Sequence, residues 1–157
     1  MTPTIGPAAR GLIQSFEKCR LHAYRDGGGI LTVGWGHTGL DVGAGTVWTQ
    51  AEADAAFARD LAQRCAPLAD ALGMSPTTPA QFGALVSLSY NAGVGGILRS
   101  TLLARHKAGD FTGAAAQFLR WDHDHAGNEV AGLLRRRRAE AALYRGDFAE
   151  MEREMAA

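Results

Sequence analysis

The chain has 157 residues, of which 46% are hydrophobic and 20% charged, with 16 Lys/Arg against 16 Asp/Glu. This composition excludes intrinsic disorder, and the length allows burial of roughly two-thirds of the unfolded surface. The neutral balance gives no reason to expect a nucleic-acid partner. Charge is nevertheless uneven, because residues 99–145 hold nine Lys/Arg and five Asp/Glu, whereas the segment from Asp147 holds four acids and one Arg. A basic half would suit an anionic polymer, although such asymmetry is also common on surfaces that bind nothing.

The sequence contains no apolar run of about 18 residues, so we expect no segment that inserts into a membrane. Its start also lacks the apolar core of a signal peptide, and we expect the chain to be made and at first kept in a cytosol. Cys19 and Cys65 fall in predicted helices and lack metal-ligand spacing. Buried free thiols are the expected state because cytosolic thiols stay reduced, and a disulfide is the alternative if the two helices meet.

Hydrophobic periodicity predicts a mostly helical chain that contains one short β region. Leu12 and Phe16 form an i, i+4 stripe that predicts a helix over 7–19, whereas a period of two over 21–37, around three glycines, predicts a hairpin. Start signals and apolar stripes predict two long helices, from Thr49 to about 72 and from Thr78 to about 92. Shorter helices are predicted over 97–107 and 111–120, and the final helix of the chain over 129–145. The predicted fold class is α+β, mostly α: a single domain over 1–157 with a small β lobe at about 20–48 and a larger helical lobe, flanking a cleft.

Two carboxylates and a threonine flank the predicted hairpin turn. Glu17, Asp26 and Thr32 form the pattern E-x8-D-x5-T, with the Glu at a helix end, the Asp before the turn and the Thr on the return strand. Cleavage of a glycosidic bond needs one protonated carboxyl for the leaving oxygen and one ionised carboxylate that activates water or stabilises positive charge on the sugar. Two carboxyl groups in different surroundings supply both roles, and the Thr32 hydroxyl could hold the water. The three residues are candidate catalytic groups, although surface charges and a routine strand residue would give the same letters.

Three segments resemble one known family. GLIQSFEKCRLHAYRDGGGILTVGWGHTG, at 11–39, resembles the signature of the phage-type lysozymes, the endolysin muramidases. ALVSLSYNAGVGG at 84–96 and GLLRRRRAEAALYRGD at 132–147 resemble that family's central-helix exit and closing helix, so the resemblance covers nearly the whole chain. It implies a lysozyme-like fold. One departure is Lys18, where relatives often have Gly directly after the Glu.

The resemblance also implies roles. Glu17 matches the family's general acid, Asp26 its second carboxylate and Thr32 its water-positioning threonine. The implied reaction is inverting hydrolysis of the β-1,4 bond between N-acetylmuramic acid and N-acetylglucosamine in bacterial peptidoglycan, with no metal or cofactor. The resemblance leaves two alternatives: a lytic transglycosylase, which cleaves the same bond with a single Glu and leaves a 1,6-anhydro end, and a non-catalytic peptidoglycan-binding module.

As an endolysin, the protein would wait in the host bacterial cytoplasm and then act in the periplasm on the cell wall. Because the sequence shows no export segment, we expect it to depend on a separate membrane-permeabilising protein of the holin type. We also expect a monomer whose partner is the peptidoglycan glycan strand.

The candidate substrate-binding residues are Gly36, Tyr90, Asn91, Arg136 and Arg137. Arg136 and Arg137 belong to a run of four arginines, which cannot share one face of a helix, so one of these two is expected to turn inward and reach Glu17. Tyr90 could stack on a sugar and Asn91 could bond an N-acetyl group. Core packing for Tyr90 and a helix C-cap for Asn91 are equally good readings.

Two further features of the sequence contain residue types that often catalyse reactions or bind metals. Histidine side chains ordinarily titrate near neutrality and are common in catalysis, but we expect His37 to pair with a carboxylate and so fix the hairpin to the helical lobe. The segment Trp121–His125 alternates potential metal ligands, but a short polar loop explains it and we expect no metal there.

Overall fold

The computed structural model describes residues 3–123 and 127–157. Within them the chain forms eight α-helices, three short strands and one 3₁₀ turn. In chain order these are α1 (Pro7–Glu17), β1 (Arg20–Arg25), β2 (Leu31–Gly34), β3 (His37–Thr38), α2 (Gln50–Leu72), α3 (Pro79–Ala92), α4 (Val94–Leu98), α5 (Thr101–Lys107), α6 (Phe111–Gln117), the 3₁₀ turn (Phe118–Arg120), α7 (Ala131–Tyr144) and α8 (Phe148–Ala156). The predicted α+β, mostly α fold class is confirmed.

The three strands form one antiparallel sheet in the order β1-β2-β3. Its register pairs Tyr24 with Thr32 and Thr32 with Thr38, and an irregularity lies between Arg20 and Tyr24 on β1. The predicted hairpin is therefore confirmed, and β3 extends it to a third strand. Because paired residues in a sheet share a face, the register places Tyr24 beside Thr32.

Helix α3 is the centre of the helical part of the molecule. All residues from Gln81 to Tyr90 are buried, and α3 packs against α1, α2 and α7. A Cβ built on Gly83 would lie 2.6 Å from the Cβ of Ala9, so only glycine allows α1 to cross α3 this closely. Both predicted capping boxes are formed, at Thr49 before α2 and at Thr78 before α3. Among the described helices, none combines the length and the apolar character needed to cross a bilayer.

The structure corrects several predicted boundaries. Helix α1 ends at Glu17 rather than at 19, because Lys18 adopts φ 57°, so Cys19 lies outside a helix. The predicted helix over 97–107 is two helices, because the Ser100 hydroxyl accepts the Leu103 N–H at 3.0 Å and starts α5 anew. Helix α7 is not the last one, since Asp147 caps α8, where Phe148 lies on the first turn.

The two cysteines have different surroundings, and neither forms a disulfide. Cys65 is buried in the core on α2, and burial raises the pKa of its thiol. Cys19 is partly exposed, and its Sγ accepts a hydrogen bond from Gln50 Nε2 at 3.6 Å.

Candidate active site

Glu17 is the last residue of α1, a helix anchored by the fully buried Leu12 and Ile13. Its side chain is 18% exposed, and Arg136 Nη1 on α7 donates to its Oε1 at 2.6 Å. The next residue, Lys18, takes a positive φ that non-glycine residues rarely adopt, and this turns the chain from α1 into β1. The carboxylate is thus held at a point where α1, the sheet and α7 meet.

Asp26 lies at the hairpin turn between β1 and β2, in an exposed position. The backbone N–H groups of Gly28 and Ile30 both donate to Asp26 Oδ1, each at 2.9 Å. Arg25 Nη1 fixes the same turn by donating to the Gly29 carbonyl at 2.9 Å. These bonds orient an exposed carboxylate without covering it.

Thr32 is only 3% exposed, and its hydroxyl donates to the carbonyl of Ile30 at 2.9 Å. That carbonyl also accepts the N–H of Asp26 at 2.9 Å, while the Ile30 N–H donates to the Asp26 side chain. Ile30 therefore links Asp26 to Thr32 through its own backbone. Since the Thr32 hydroxyl gives its proton to Ile30, its lone pairs are left to accept from a water molecule.

Tyr24 joins the two carboxylates electrostatically, although the sequence assigned it no role. Burial raises the pKa of its phenol, Arg20 opposes the rise, and the carboxylates of Glu17 and Asp26 add to it. The guanidinium of Arg20 lies 4.3 Å from the ring centroid. Both candidate carboxylates therefore act on one phenol, which is the cross-strand neighbour of Thr32. The signal for Tyr24 was its position two residues before Asp26, near the end of the predicted strand that leads into the turn.

The run of four arginines on α7 divides as helix geometry predicts. Arg136 is 4% exposed and Arg137 1% exposed, whereas Arg138 is exposed. The expected contact with Glu17 is confirmed for Arg136. The pKa of the Arg136 guanidinium is raised because its attraction to the carboxylates of Glu17 and Glu140 outweighs the effect of burial, which lowers it.

Arg137 binds other partners. Its Nε donates to the Trp121 carbonyl at 2.8 Å, its Nη1 donates to Glu140 Oε2 at 2.5 Å, and its Nη2 donates to Asn91 Oδ1. Glu140 was missed by the sequence analysis, although its position four residues after Arg136 is the spacing of a helical ion pair.

The remaining candidate substrate-binding residues take different places. Gly36, with φ 84°, lies against the acid, since a Cβ built on it would be 2.4 Å from Glu17 Oε2. Tyr90 is buried and donates its hydroxyl to the Trp35 carbonyl at 2.6 Å, so the structure favours core packing over stacking on a sugar. Asn91 is exposed within α3 and does not cap it, because the C-cap is Gly93.

A cavity of about 400 Å³ opens beside Asn91. It is lined by Asn91, Ala92, Arg120, Trp121, His123, Leu133 and Arg137. Another cavity, of about 610 Å³, is lined by the N-terminal segment and the α2–α3 connection and by none of the candidate residues. Within the segment Trp121–His125, for which no metal site was expected, Asp124 and His125 lie outside the described residues. His123 Nδ1 lies 2.7 Å from Asp122 Oδ1.

His37 has the predicted pairing with a carboxylate. Its Nδ1 lies 2.8 Å from Asp60 Oδ2 on α2, and its Nε2 lies 3.0 Å from Asp41 Oδ1. Burial alone would lower the pKa of His37, but its hydrogen bonds to Asp60 and Asp41 outweigh that effect, and the pKa is raised. His37 thus attaches β3 to the helical part of the molecule, as expected.

Comparison with known proteins identifies the family. The family model described as phage lysozyme matches residues 14–140. The chain is 38% identical over 136 residues to an endolysin of Acyrthosiphon pisum secondary endosymbiont phage 1, covering 85% of this chain and 92% of that protein. It is also 38% identical over 136 residues to an endolysin of Lactococcus phage c2, of which it spans 56%.

A solved endolysin from the Escherichia coli phage FAHEc1 superposes with a TM-score of 0.78 at 32% identity, over 92% of this chain and 94% of that one. Fold, sequence and family model agree, and the chain belongs to the phage lysozyme family.

Proposed function

We propose that this phage lysozyme hydrolyses the β-1,4 bond between N-acetylmuramic acid and N-acetylglucosamine of bacterial peptidoglycan, with Glu17 as general acid. The family relation makes the chain a glycoside hydrolase of the endolysin type. The observation that supports the choice of acid is the cradle around Glu17, in which Arg136 binds Oε1 and the open face of Gly36 lies against Oε2. An acid fixed on both sides is positioned for one proton transfer.

In the proposed step, Glu17 gives its proton to the glycosidic oxygen as the bond between that oxygen and the anomeric carbon breaks. Positive charge develops on the sugar ring, and a water molecule attacks from the opposite face. Asp26 takes one proton of that water, and the Thr32 hydroxyl accepts a hydrogen bond from its other O–H, which stays on the oxygen that joins the sugar. The shared backbone of Ile30 supports this division of labour because it fixes Asp26 and Thr32 relative to each other. Inversion at the anomeric carbon follows.

The lytic transglycosylase alternative needs only one acid/base carboxyl. The geometry of Asp26 argues against it, since two backbone N–H groups orient a second carboxylate that such a reaction would not use. The contact between Glu17 and the buried Arg136 argues against a non-catalytic binding module, because a protein that only binds peptidoglycan does not need an oriented acid.

The test is the loss of turbidity of outer-membrane-permeabilised Gram-negative cells, with Glu17→Gln and Asp26→Asn beside the wild type. Acid–base assistance is worth roughly 10²- to 10⁴-fold, so both variants should lose lysis while their far-UV circular dichroism shows an intact fold. Full activity of either variant would overturn its assignment. The ends of the released muropeptides distinguish the two reactions, because hydrolysis leaves reducing sugar ends and a transglycosylase leaves 1,6-anhydro ends. Early NMR spectra give the anomer of the product, and retention of configuration would make Asp26 a nucleophile.

Several properties of the whole protein belong to the same proposal. The chain would act as one catalytic domain and as a monomer on glycan strands, with no nucleic-acid partner. It would remain in the host cytoplasm until a holin-type protein permeabilises the membrane and admits it to the periplasm. Arg136 and Arg137 would serve the substrate by positioning Glu17 and Asn91, because their burial leaves little surface for direct contact with a glycan.

A further inference from the structure

Glu140 on α7 is a fully buried carboxylate at the centre of a hydrogen-bonded group. Its Oε1 accepts the Ser87 hydroxyl at 2.7 Å and Arg136 Nε at 3.1 Å, and its Oε2 accepts Arg137 Nη1 at 2.5 Å. A buried carboxylate is costly unless it is paired and hydrogen-bonded, and here both oxygens are engaged. Glu140 is therefore held in one orientation by α3 and by its own helix.

The two arginines that bind Glu140 also contact two different parts of the molecule. Arg136 uses Nη1 to reach Glu17 and Nη2 to reach the Ser87 carbonyl at 3.3 Å. Arg137 uses Nη2 to reach Asn91, which borders the 400 Å³ cavity. Glu140 thus lies between the proposed acid and one wall of that cavity.

We propose that Glu140 is a positioning residue for Glu17, acting through Arg136; the inference rests on the proposed role of Glu17 as acid. A guanidinium is planar and rigid, so a contact made by Nε fixes where Nη1 points. Arg136 has Nε on Glu140 and Nη1 on Glu17, and rotation about its own axis would break one contact to keep the other. The position of the acid therefore depends on a carboxylate that does not touch substrate.

The balance of charges in this group also indicates that the position of Glu17 depends on Glu140. The group contains two arginines and two carboxylates, all partly or fully withdrawn from water. Without the charge of Glu140, Glu17 would be the single carboxylate paired with Arg136, and Arg137 would lose the carboxylate that it binds. Arg136 would then be free to turn toward Glu17 and shift its carboxylate out of line with the glycosidic oxygen.

The test measures kcat and KM on soluble peptidoglycan oligosaccharides. The glutamine of Glu140→Gln keeps the shape of the side chain, but it replaces one carboxylate oxygen with an N–H₂ group that cannot accept from an arginine. We expect kcat to fall about 10- to 100-fold, with KM changed less than about twofold. A role in stability alone would lower the melting temperature and leave kcat per folded molecule unchanged.

Two serines on α3 provide a matched pair. Ser87 and Ser89 are both fully buried, but Ser87 donates to Glu140, whereas Ser89 donates to the Leu85 carbonyl at 2.6 Å within its own helix. We expect Ser87→Ala to lower kcat about 3- to 10-fold, because it loses a hydrogen bond to a charged group, and Ser89→Ala to leave kcat unchanged. This comparison tests the positioning role of Glu140 even if Glu140→Gln does not fold.

Equal kcat for Ser87→Ala and Ser89→Ala, or unchanged kcat in a folded Glu140→Gln, would overturn the positioning role while wild-type activity and the Glu17→Gln loss stand. An inactive wild type, or an active Glu17→Gln, would instead remove the proposed function, and the positioning role with it.

Discussion

Gly36 lies directly against the proposed acid, since a Cβ at this position would be 2.4 Å from Glu17 Oε2 and 3.1 Å from Glu17 Cδ. Real Cβ atoms do not approach another heavy atom so closely. The glycine also has φ 84°, which side-chain-bearing residues rarely adopt. Position 36 therefore has two separate reasons to be glycine, one of backbone conformation and one of contact with the site.

Gly36→Ala should accordingly displace the carboxylate of Glu17. A displacement of about 1 Å at a reacting group costs up to about 10²-fold, so we expect kcat to fall by that order. Gly109→Ala is the matched control, because Gly109 has φ 80° and open space around its Cα. Both variants should lose about 1–3 kcal/mol of stability from backbone strain, but the control should keep the wild-type kcat. Equal activity in the two variants would show that the contact with Glu17 carries no catalytic consequence.

The arginines of α7 allow a second comparison. Arg136→Ala removes the hydrogen bond to Glu17 Oε1, and we expect at least a 100-fold loss of kcat per folded molecule. Arg137→Ala keeps that bond but loosens Glu140, so we expect a smaller loss of about 10-fold. Each should cost about 3–5 kcal/mol of stability, because a buried carboxylate loses a partner.

Arg138→Ala serves as the control, since Arg138 is exposed on the same helix and should tolerate the change in both lysis rate and melting temperature. Undiminished lysis by both Arg136→Ala and Arg137→Ala would contradict the interpretation of this buried group.

The sequence predicted features that depend on local patterns. Thr49 and Thr78 carry capping boxes, and both form because the partner Glu or Gln lies three residues later on the same helix. The 100° step of a helix predicted that Arg136 or Arg137 turns inward, but not which of the two reaches Glu17. Helix α8 was not predicted from the sequence, although Asp147 followed by Glu150 three residues later is a start signal, because the acids of that segment were used only as evidence of uneven charge.

Features that depend on packing between distant segments were not predictable. Gly36 meets Glu17 only because the turn between β2 and β3 and the end of α1 are brought together in space. The link from Glu140 to Ser87 joins residues 53 positions apart, and nothing in either segment indicates the other. Sequence periodicity indicates which face of a helix is buried, but not which buried polar group it will meet.

His37 gives a prediction about pH. Its pKa is raised above the ordinary value of 6.5 in the folded protein, so folding favours the protonated ring. The stabilisation is fully present below pH 6.5 and is lost as the pH rises through the higher pKa of the folded state. His37→Gln cannot titrate and should melt about 5 °C lower than wild type at pH 6, with the difference shrinking toward pH 9.

Turnover per folded molecule should change little in His37→Gln, because His37 contacts Asp60 and Asp41 rather than the candidate carboxylates. Melting curves between pH 5 and 9 give the check. A gap between wild type and variant that widens with rising pH would show that the ion pair with Asp60 does not govern the stability.

His106 should show the opposite dependence. It is 1% exposed, its Nε2 lies 2.8 Å from the Thr77 hydroxyl and its Nδ1 lies 2.6 Å from the Tyr144 hydroxyl. Thr77 already donates to the Ser75 carbonyl at 3.0 Å, so it accepts from Nε2–H, and Nδ1 accepts from Tyr144. Burial lowers the pKa of the His106 ring below 6.5, although a hydrogen bond to the Pro76 backbone acts in the opposite direction.

Folding thus favours the unprotonated ring of His106. Its stabilisation is present above pH 6.5 and is lost as the pH falls from there through the lower pKa of the folded state, because protonation would place a charge in the core. His106→Gln should be less stable than wild type at pH 7.5, and the gap in melting temperature should narrow toward pH 5. His37→Gln measured in parallel controls for general acid effects, since its gap should instead be largest at the acid end. If both variants lost their gap at the same end of the pH range, the opposite protonation states assigned to these two histidines would be wrong.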